Sequence, residues 1–143
     1  MFSKSVKYAL KAVLFLAVNS NEKKKVMVKD LAKPINVPQA YIAKVLQELS
    51  KQKIISSTRG PNGGFYLDKN NREQSILSII YAIEGEQKMT NCLLNLKECN
   101  AAKPCPLHHL ANPSREALIN NLKNKTIRDL ASDIKSRIAF LPI

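Results

Sequence analysis

The sequence predicts a mainly helical protein that carries one small β-hairpin. Apolar residues recur at helical spacing through much of the chain. The glycine-rich stretch RGPNGG lies between two short runs of β-type residues, and two prolines four residues apart separate two helical segments. The 143 residues, 45% of them hydrophobic, suffice for one packed domain or for a small domain with an oligomerisation arm.

The first helix is predicted over residues 5–19, where apolar side chains follow an amphipathic pattern. A short second helix fits Val28 to Lys33, and Pro34 is expected to end it because proline cannot continue the backbone hydrogen bonding. Pro38 suits the first turn of a third helix that runs to about Lys51. Four apolar residues form the predicted buried stripe of this third helix: Ile42, Val45, Leu46 and Leu49.

The second and third helices form a helix-turn-helix candidate, because a turn of about four residues joins them and the third has a polar, basic outer face. A hairpin follows, with strands predicted at Ile54–Thr58 and Phe65–Leu67. This order is typical of a winged helix-turn-helix. Arg59 and Gly60 at the hairpin tip suit close approach to a DNA groove or to phosphates, although an ordinary surface hairpin with one solvated arginine is the alternative.

The second half is predicted to contain further helices. Ser75 caps a helix that Gly85 ends, and Asn112-Pro113 restarts or kinks another with Asn112 as its N-cap. Thr126 and Asp129 resemble a capping box for a final helix to about Ser136. We expect the long C-terminal helix to dimerise, with simple core packing as the alternative. The domain boundaries predicted are 1–74 for DNA binding and 75–143 for a ligand-binding loop and dimerisation helices.

The charge is concentrated in the first half. The net charge is +12, and residues 1–70 carry 13 Lys and Arg against 4 Asp and Glu, whereas residues 71–143 carry 10 against 7. This excess favours a nucleic-acid partner, although solubility alone is the simpler explanation. No apolar run is long enough to span a membrane. The odd number of cysteines argues against a secreted disulfide scaffold, so a reducing cytoplasm is expected.

All three cysteines and both histidines fall in one short window, in the order Cys92, Cys99, Cys105, His108 and His109. Three thiolates and one imidazole suit zinc or an iron–sulfur cluster. The wide gaps between the cysteines favour a broad object such as a two-iron cluster, with structural zinc and redox-active thiols as alternatives. His108 is preferred over His109, because three residues after Cys105 it faces the same side of a helical turn. Nothing outside the window supplies the base and pocket of a cysteine enzyme.

The whole chain resembles the IscR/NsrR-type family of winged-helix transcription regulators. The resemblance lies in KYALKAVLFLA, in IAKVLQELSKQKIISSTRGPNGGFYL and in the cysteine window with CPLH. It implies a cytoplasmic homodimer, a repressor that binds pseudo-palindromic operators in double-stranded DNA. It also implies a 2Fe-2S cluster, held by three cysteines and a variable fourth ligand, that responds to nitric oxide, redox change or iron–sulfur status.

The resemblance assigns residues by position. The metal ligands that it implies are Cys92, Cys99, Cys105 and His108. Lys7 stands where some nitric-oxide sensors have a ligating acid, which favours His108, and Ala43 replaces a glutamate that tunes operator choice, which favours a single class of operator. The DNA-contacting residues predicted on the recognition helix and the wing are Gln39, Tyr41, Lys44, Arg59, Gly60 and Asn62.

Overall fold

The computed structural model describes residues 1–94, 96 and 101–143. They form eight helices and two strands, with the following bounds: α1 Lys4–Asn19, α2 Val28–Ile35, α3 Gln39–Lys51, β1 Ser56–Thr58, β2 Gly64–Tyr66, α4 Lys69–Arg72, α5 Ile76–Glu84, α6 Gln87–Thr90, α7 His108–Lys123 and α8 Ile127–Lys135. The mainly helical winged helix-turn-helix is therefore confirmed. The short helices α4 and α6 were not predicted.

Helix α1 is the centre of the core. The side chain of Ser3 accepts a hydrogen bond from the backbone N–H of Val6 and so caps the helix, one turn before the apolar stripe begins. Six residues of α1 are buried: Val6, Ala9, Ala12, Val13, Leu16 and Ala17. Helix α1 packs against α2, α3, α5 and α8, so one helix organises the packing of four others.

The prediction that Pro34 ends the second helix is wrong, because α2 continues through Pro34 to Ile35. The helix ends where Asn36 adopts the left-handed conformation, with φ 54°. The N–H of Asn36 bonds to the carbonyl of Lys33, and that of Val37 to the carbonyl of Ala32, which is the Schellman arrangement. The proline removes one hydrogen bond near the end of α2, and the two bonds of the cap stabilise the turn that leads into α3.

The first strand is shorter than predicted, and the second has the predicted length but begins one residue earlier. The sequence Ile54–Thr58 suggested a strand from its first residue, but Ile54 and Ile55 lie in the core and only Ser56–Thr58 pair with Gly64–Tyr66, in antiparallel register. The N–H of Ile54 bonds instead to the carbonyl of Leu49, which closes the end of α3. Val26 pairs with Phe65 through two backbone hydrogen bonds of 2.8 Å and adds a third, one-residue element to the wing.

In the second half, Ser75 caps α5 and Gly85 ends it, as predicted. The capping box of Thr126 and Asp129 at the start of α8 is also confirmed. Asn112 is not an N-cap: α7 begins four residues earlier, at His108, and Pro113 lies inside it. The missing N–H of Pro113 removes a single internal bond, and its exposed position leaves the freed carbonyl open to solvent.

A backbone neck joins the start of α5 to the start of α8. Ser75 and Thr126 form an isolated antiparallel bridge, with hydrogen bonds of 2.9 Å from the N–H of Ile76 to Lys125 and from the N–H of Ile127 to the carbonyl of Gln74. Through this neck α8 enters the same core as α1, where Ile127 is fully buried.

Candidate nucleic-acid interface and cysteine site

The recognition-helix residues predicted to contact DNA lie on the solvent face of α3. Gln39, Tyr41 and Lys44 are all exposed. The opposite face carries the predicted stripe of Ile42, Val45, Leu46 and Leu49, each of which is buried. The apolar stripe therefore fixes which side of the helix faces outward, and the polar residues are left available to a partner.

Tyr41 has a second contact that the sequence did not suggest. Its hydroxyl lies 2.5 Å from the Ser5 hydroxyl of α1. Its ring packs edge-on against Tyr8, with ring centroids 5.4 Å apart and planes at 84°. Tyr41 therefore ties the first helix to the exposed face of the recognition helix, while 38% of it remains exposed.

The wing tip exposes Arg59, Gly60 and Asn62. The N–H of Gly63 donates to the carbonyl of Gly60 at 2.9 Å, which closes a β-turn with Pro61 and Asn62 at its centre. A Cβ at position 63 would collide with the carbonyl oxygen of Thr58, so only glycine fits there. The turn therefore positions the predicted contact residues, and its backbone requires glycine at position 63.

The positive charge of this half is not neutralised by neighbouring carboxylates. Among the residues that the structure describes, the ion pairs are Lys88 with Glu84 and Arg128 with Glu73, all beyond the wing. The lysines of the helix-turn-helix therefore present their full charge to solvent. Lys29 and Lys33 line a shallow groove with Gln39 between α2 and α3.

The cysteine window places two of its three sulfurs together. The Sγ atoms of Cys92 and Cys105 lie 3.7 Å apart, and both residues are half-buried. Two thiolates on one tetrahedral metal, with metal–sulfur bonds of about 2.3 Å, would be about 3.8 Å apart. The pair therefore fits a shared metal of the iron or zinc type. Cys99, the third predicted sulfur ligand, lies outside the described residues.

His108 begins α7, and its N–H donates to the carbonyl of Cys105 at 3.0 Å. Its side chain lines a depression together with Cys92 and Cys105, whereas His109 is exposed. In the part of the chain described, no three His, Cys, Asp or Glu side chains come close enough together to hold a metal. The described donors are thus a cysteine pair with one imidazole beside it.

Arg115 also lines the depression, and its guanidinium donates to the carbonyl of Thr90 at 3.3 Å. The contact joins α7 to the end of α6, directly before Cys92. The sequence contained a signal for it, because Arg115 follows His108 by seven residues and so shares its helical face. Arg115 therefore adds a cationic residue to the lining of the depression that Cys92 and Cys105 share.

The exposed recognition helix, the glycine-built wing and the basic surface around them define a winged-helix protein that binds DNA and regulates transcription. A family model described as an iron-dependent transcriptional regulator, Rrf2, matches residues 2–133. The chain therefore belongs to the Rrf2 family.

Two relatives illustrate this membership. The chain is 36% identical over 132 residues to a candidate HTH-type transcriptional regulator of Aquifex aeolicus, covering 91% of this chain and 90% of that protein. It is 30% identical over 135 residues to the HTH-type transcriptional regulator NsrR of Geobacillus kaustophilus, covering 94% and 91%.

Solved structures share the fold. CymR, the global cysteine regulator of B. subtilis, superimposes with a TM-score of 0.73 at 22% identity, over 92% of this chain and 96% of that one. The IscR of T. potens gives a TM-score of 0.73 at 20% identity, over 99% and 93%. No helix among the described residues is long and apolar enough to cross a membrane.

Proposed function

We propose that this protein is a homodimeric repressor that senses nitric oxide, redox state or iron–sulfur status through a 2Fe-2S cluster. The observation that carries the proposal is the pairing of the Cys92 and Cys105 sulfurs at 3.7 Å, at the entrance to α7. In a winged-helix regulator, two cysteine sulfurs that could bind one metal ion, outside the DNA-binding elements, support a sensing role. The similarity to NsrR over nearly the whole chain supports the same conclusion.

The DNA-binding half proposed is residues 1–74, and residues 75–143 supply the sensor loop and dimerisation helices. Gln39, Tyr41 and Lys44 enter a major groove, and the wing tip at Arg59, Gly60 and Asn62 reaches the adjacent minor groove or phosphates. Two such units in a dimer require half-sites about one helical turn apart, so the operator is a pseudo-palindrome.

The ligands proposed for the cluster are Cys92, Cys99, Cys105 and His108. When bound, the cluster would supply a centre whose charge and integrity change with nitric oxide, oxidants or iron supply. The chain itself fixes where two ligands sit, because the carbonyl of Cys105 accepts the N–H of His108 in the first turn of α7. Ligation at both positions would hold that turn.

A contact path leads from this turn to the recognition helix. Helix α7 packs on α5, and α5 packs on α3. The side chain of Gln52, at the end of α3, donates to the carbonyl of Ala82 in α5 at 2.7 Å and to Glu48 at 2.6 Å. A shift of α5 would therefore move the C-terminal end of α3 directly, and DNA affinity would change with it.

The exposed apolar residues on and before α7 support dimerisation. None of its residues is buried, and Leu110 is 76% exposed. Leu93, Leu94 and Leu96 in the preceding segment are exposed as well. Apolar residues that stay in contact with water in one chain commonly mark a surface between subunits.

The experiment that tests the proposal is DNA selection under anaerobic conditions, with freshly purified protein and with the metal-free protein, combined with metal and sulfide analysis. We expect iron and acid-labile sulfide with visible absorption, a pseudo-palindromic operator, and different affinities of the two forms for it. Cys92→Ala is expected to abolish the absorption. His108→Ala is expected to weaken it, whereas the matched variant His109→Ala should retain it.

Other outcomes would redirect the proposal. Zinc without sulfide would replace the sensor by a structural metal, which the same sulfur separation also fits. Metal-free protein whose DNA binding follows reversible oxidation of Cys92 and Cys105 would indicate a switch based on thiols alone. Iron and sulfide retained by Cys92→Ala would contradict the ligand assignment.

A further inference from the structure

We infer that helix α1 carries a second DNA-contacting surface, which binds phosphates beside the groove that α3 enters. The surface, named here the α1 stripe, consists of Lys4, Tyr8 and Lys11. The inference rests on the proposed DNA binding, and it assigns a role to a helix that otherwise belongs to the core.

Helical geometry places the stripe on one side of α1. Residues at i, i+4 and i+7 share a face, so Lys4, Tyr8 and Lys11 lie in a row. Tyr8 meets the ring of Tyr41, and Ser5 meets the Tyr41 hydroxyl. Because Tyr41 stands on the exposed face of the recognition helix, these contacts bring the row to the border of that face.

The charge of the stripe is unopposed. Helix α1 contains no acidic residue, and neither ion pair among the described residues involves α1. Lys4 is exposed, and the ammonium of Lys11 is held over the Tyr8 ring at 5.9 Å from its centroid. The ring restrains the Lys11 side chain without neutralising it, so an ammonium is presented close to the recognition helix.

The chemistry of the stripe fits phosphates better than bases. Lysine is a flexible point charge that lacks the planar fork of arginine, and a point charge suits the diffuse negative charge of the phosphates. Contacts to phosphate add affinity and fix the orientation of a protein on the duplex, but they do not read sequence. The partner predicted for the stripe is therefore the sugar–phosphate backbone at the edge of the operator.

The test compares two double variants of equal charge in the full-length protein. Lys4→Gln/Lys11→Gln removes both cations of the stripe. Lys123→Gln/Lys135→Gln removes two exposed lysines of α7 and α8, far along the chain from the recognition helix. Affinities for the selected operator and for a duplex of unrelated sequence are measured between 50 and 200 mM salt, and thermal melting checks that each variant is folded.

Each lost phosphate contact lowers the slope of log affinity against log salt by about 0.9. The magnitude of the slope should therefore fall by about 1.8 for each protomer, or about 3.6 for the proposed dimer, so that the wild type weakens about 150-fold more than the variant over this salt range. The loss of affinity should be similar for both duplexes. The control variant should keep the wild-type slope.

The outcomes separate the two proposals. A stripe variant whose slope equals that of the control, in a protein that binds its operator, overturns the inference and leaves the proposed function standing. A loss confined to the operator duplex also overturns it, because base reading and not phosphate binding would then be affected. If the folded wild-type protein binds no DNA, the proposed function itself fails.

Discussion

Helices α1 and α7 are each 16 residues long, yet they are used in opposite ways. Helix α1 buries six residues and packs against four other helices, whereas α7 buries none. The difference shows that the core around α1 is completed by α5 and α8 from the second half of the chain. Helix α7 and the segment before it present an apolar surface that a single chain does not cover.

The largest effect that would test this contrast is expected from Leu46→Ala. The side chain is fully buried in the core, and its truncation should lower the free energy of unfolding by about 2–5 kcal/mol at every protein concentration. Leu110→Ala, on the uncovered face of α7, should lower only that part of the free energy of unfolding that increases with protein concentration. Denaturant titrations at several concentrations measure both. If both variants lost the same free energy of unfolding at every protein concentration, the contrast between α1 and α7 would be contradicted.

A smaller effect, confined to the wing, is expected from Gly63→Ala. The added Cβ meets the Thr58 carbonyl, so the turn must distort, at a cost of about 1–3 kcal/mol. Operator affinity should fall with it. The matched variant Asn62→Ala, at the same exposed tip, should change stability by no more than about 0.5 kcal/mol. Thermal melting distinguishes the two, because Asn62 is itself a proposed DNA contact, and a Gly63→Ala protein with wild-type melting would show that the wing tolerates the collision.

The smallest effect concerns the pH dependence of the α8 cap. Hydrogen bonds from the backbone and side chain of Thr126 lower the pKa of Asp129 below its ordinary value. A lowered pKa in the folded state means that ionised Asp129 stabilises the fold above about pH 4, and that this contribution disappears as the pH falls through the folded pKa.

The free energy of unfolding of the wild type should therefore exceed that of Asp129→Asn at neutral pH, and the difference should shrink in acid. Asp133→Asn, on the same helix but outside the cap, is the control. Urea titrations from pH 7 down to pH 2 provide the measurement. A difference that stays constant over this range would show that the charge of Asp129 contributes nothing.

The elements that follow from local chemistry were predictable. The apolar stripe of α3, the Ser75 cap and the capping box of α8 depend on residues within one or two turns, so the sequence contains the whole signal. The boundaries predicted from Pro34 and Asn112 were wrong because they also depended on local signals alone. Each favours a helix boundary locally, but the Schellman turn after α2 and the helical turn that begins at His108 set the boundaries elsewhere.

The candidate site was predictable in its residue types and less so in its contacts. Glycines and an arginine in one turn indicated the wing, and clustered cysteines indicated a candidate metal site. The hydrogen bond between Ser5 and Tyr41 joins residues 36 positions apart, and no periodicity reports such a pair. The proximity of Cys92 to Cys105 depends on how α6 and α7 are placed, which a spacing of 13 residues leaves open.

The neck between Ser75 and Thr126 has a further consequence for how the chain is organised. Helices α1 and α8 pack together, and the neck pairs Ser75 with Thr126. The cysteine window therefore lies in a segment whose two ends are held together by the neck. In architectural terms the segment that contains the cysteine window is an insertion between two anchor points. We expect that its length and its cysteines can be altered while the winged helix keeps its fold.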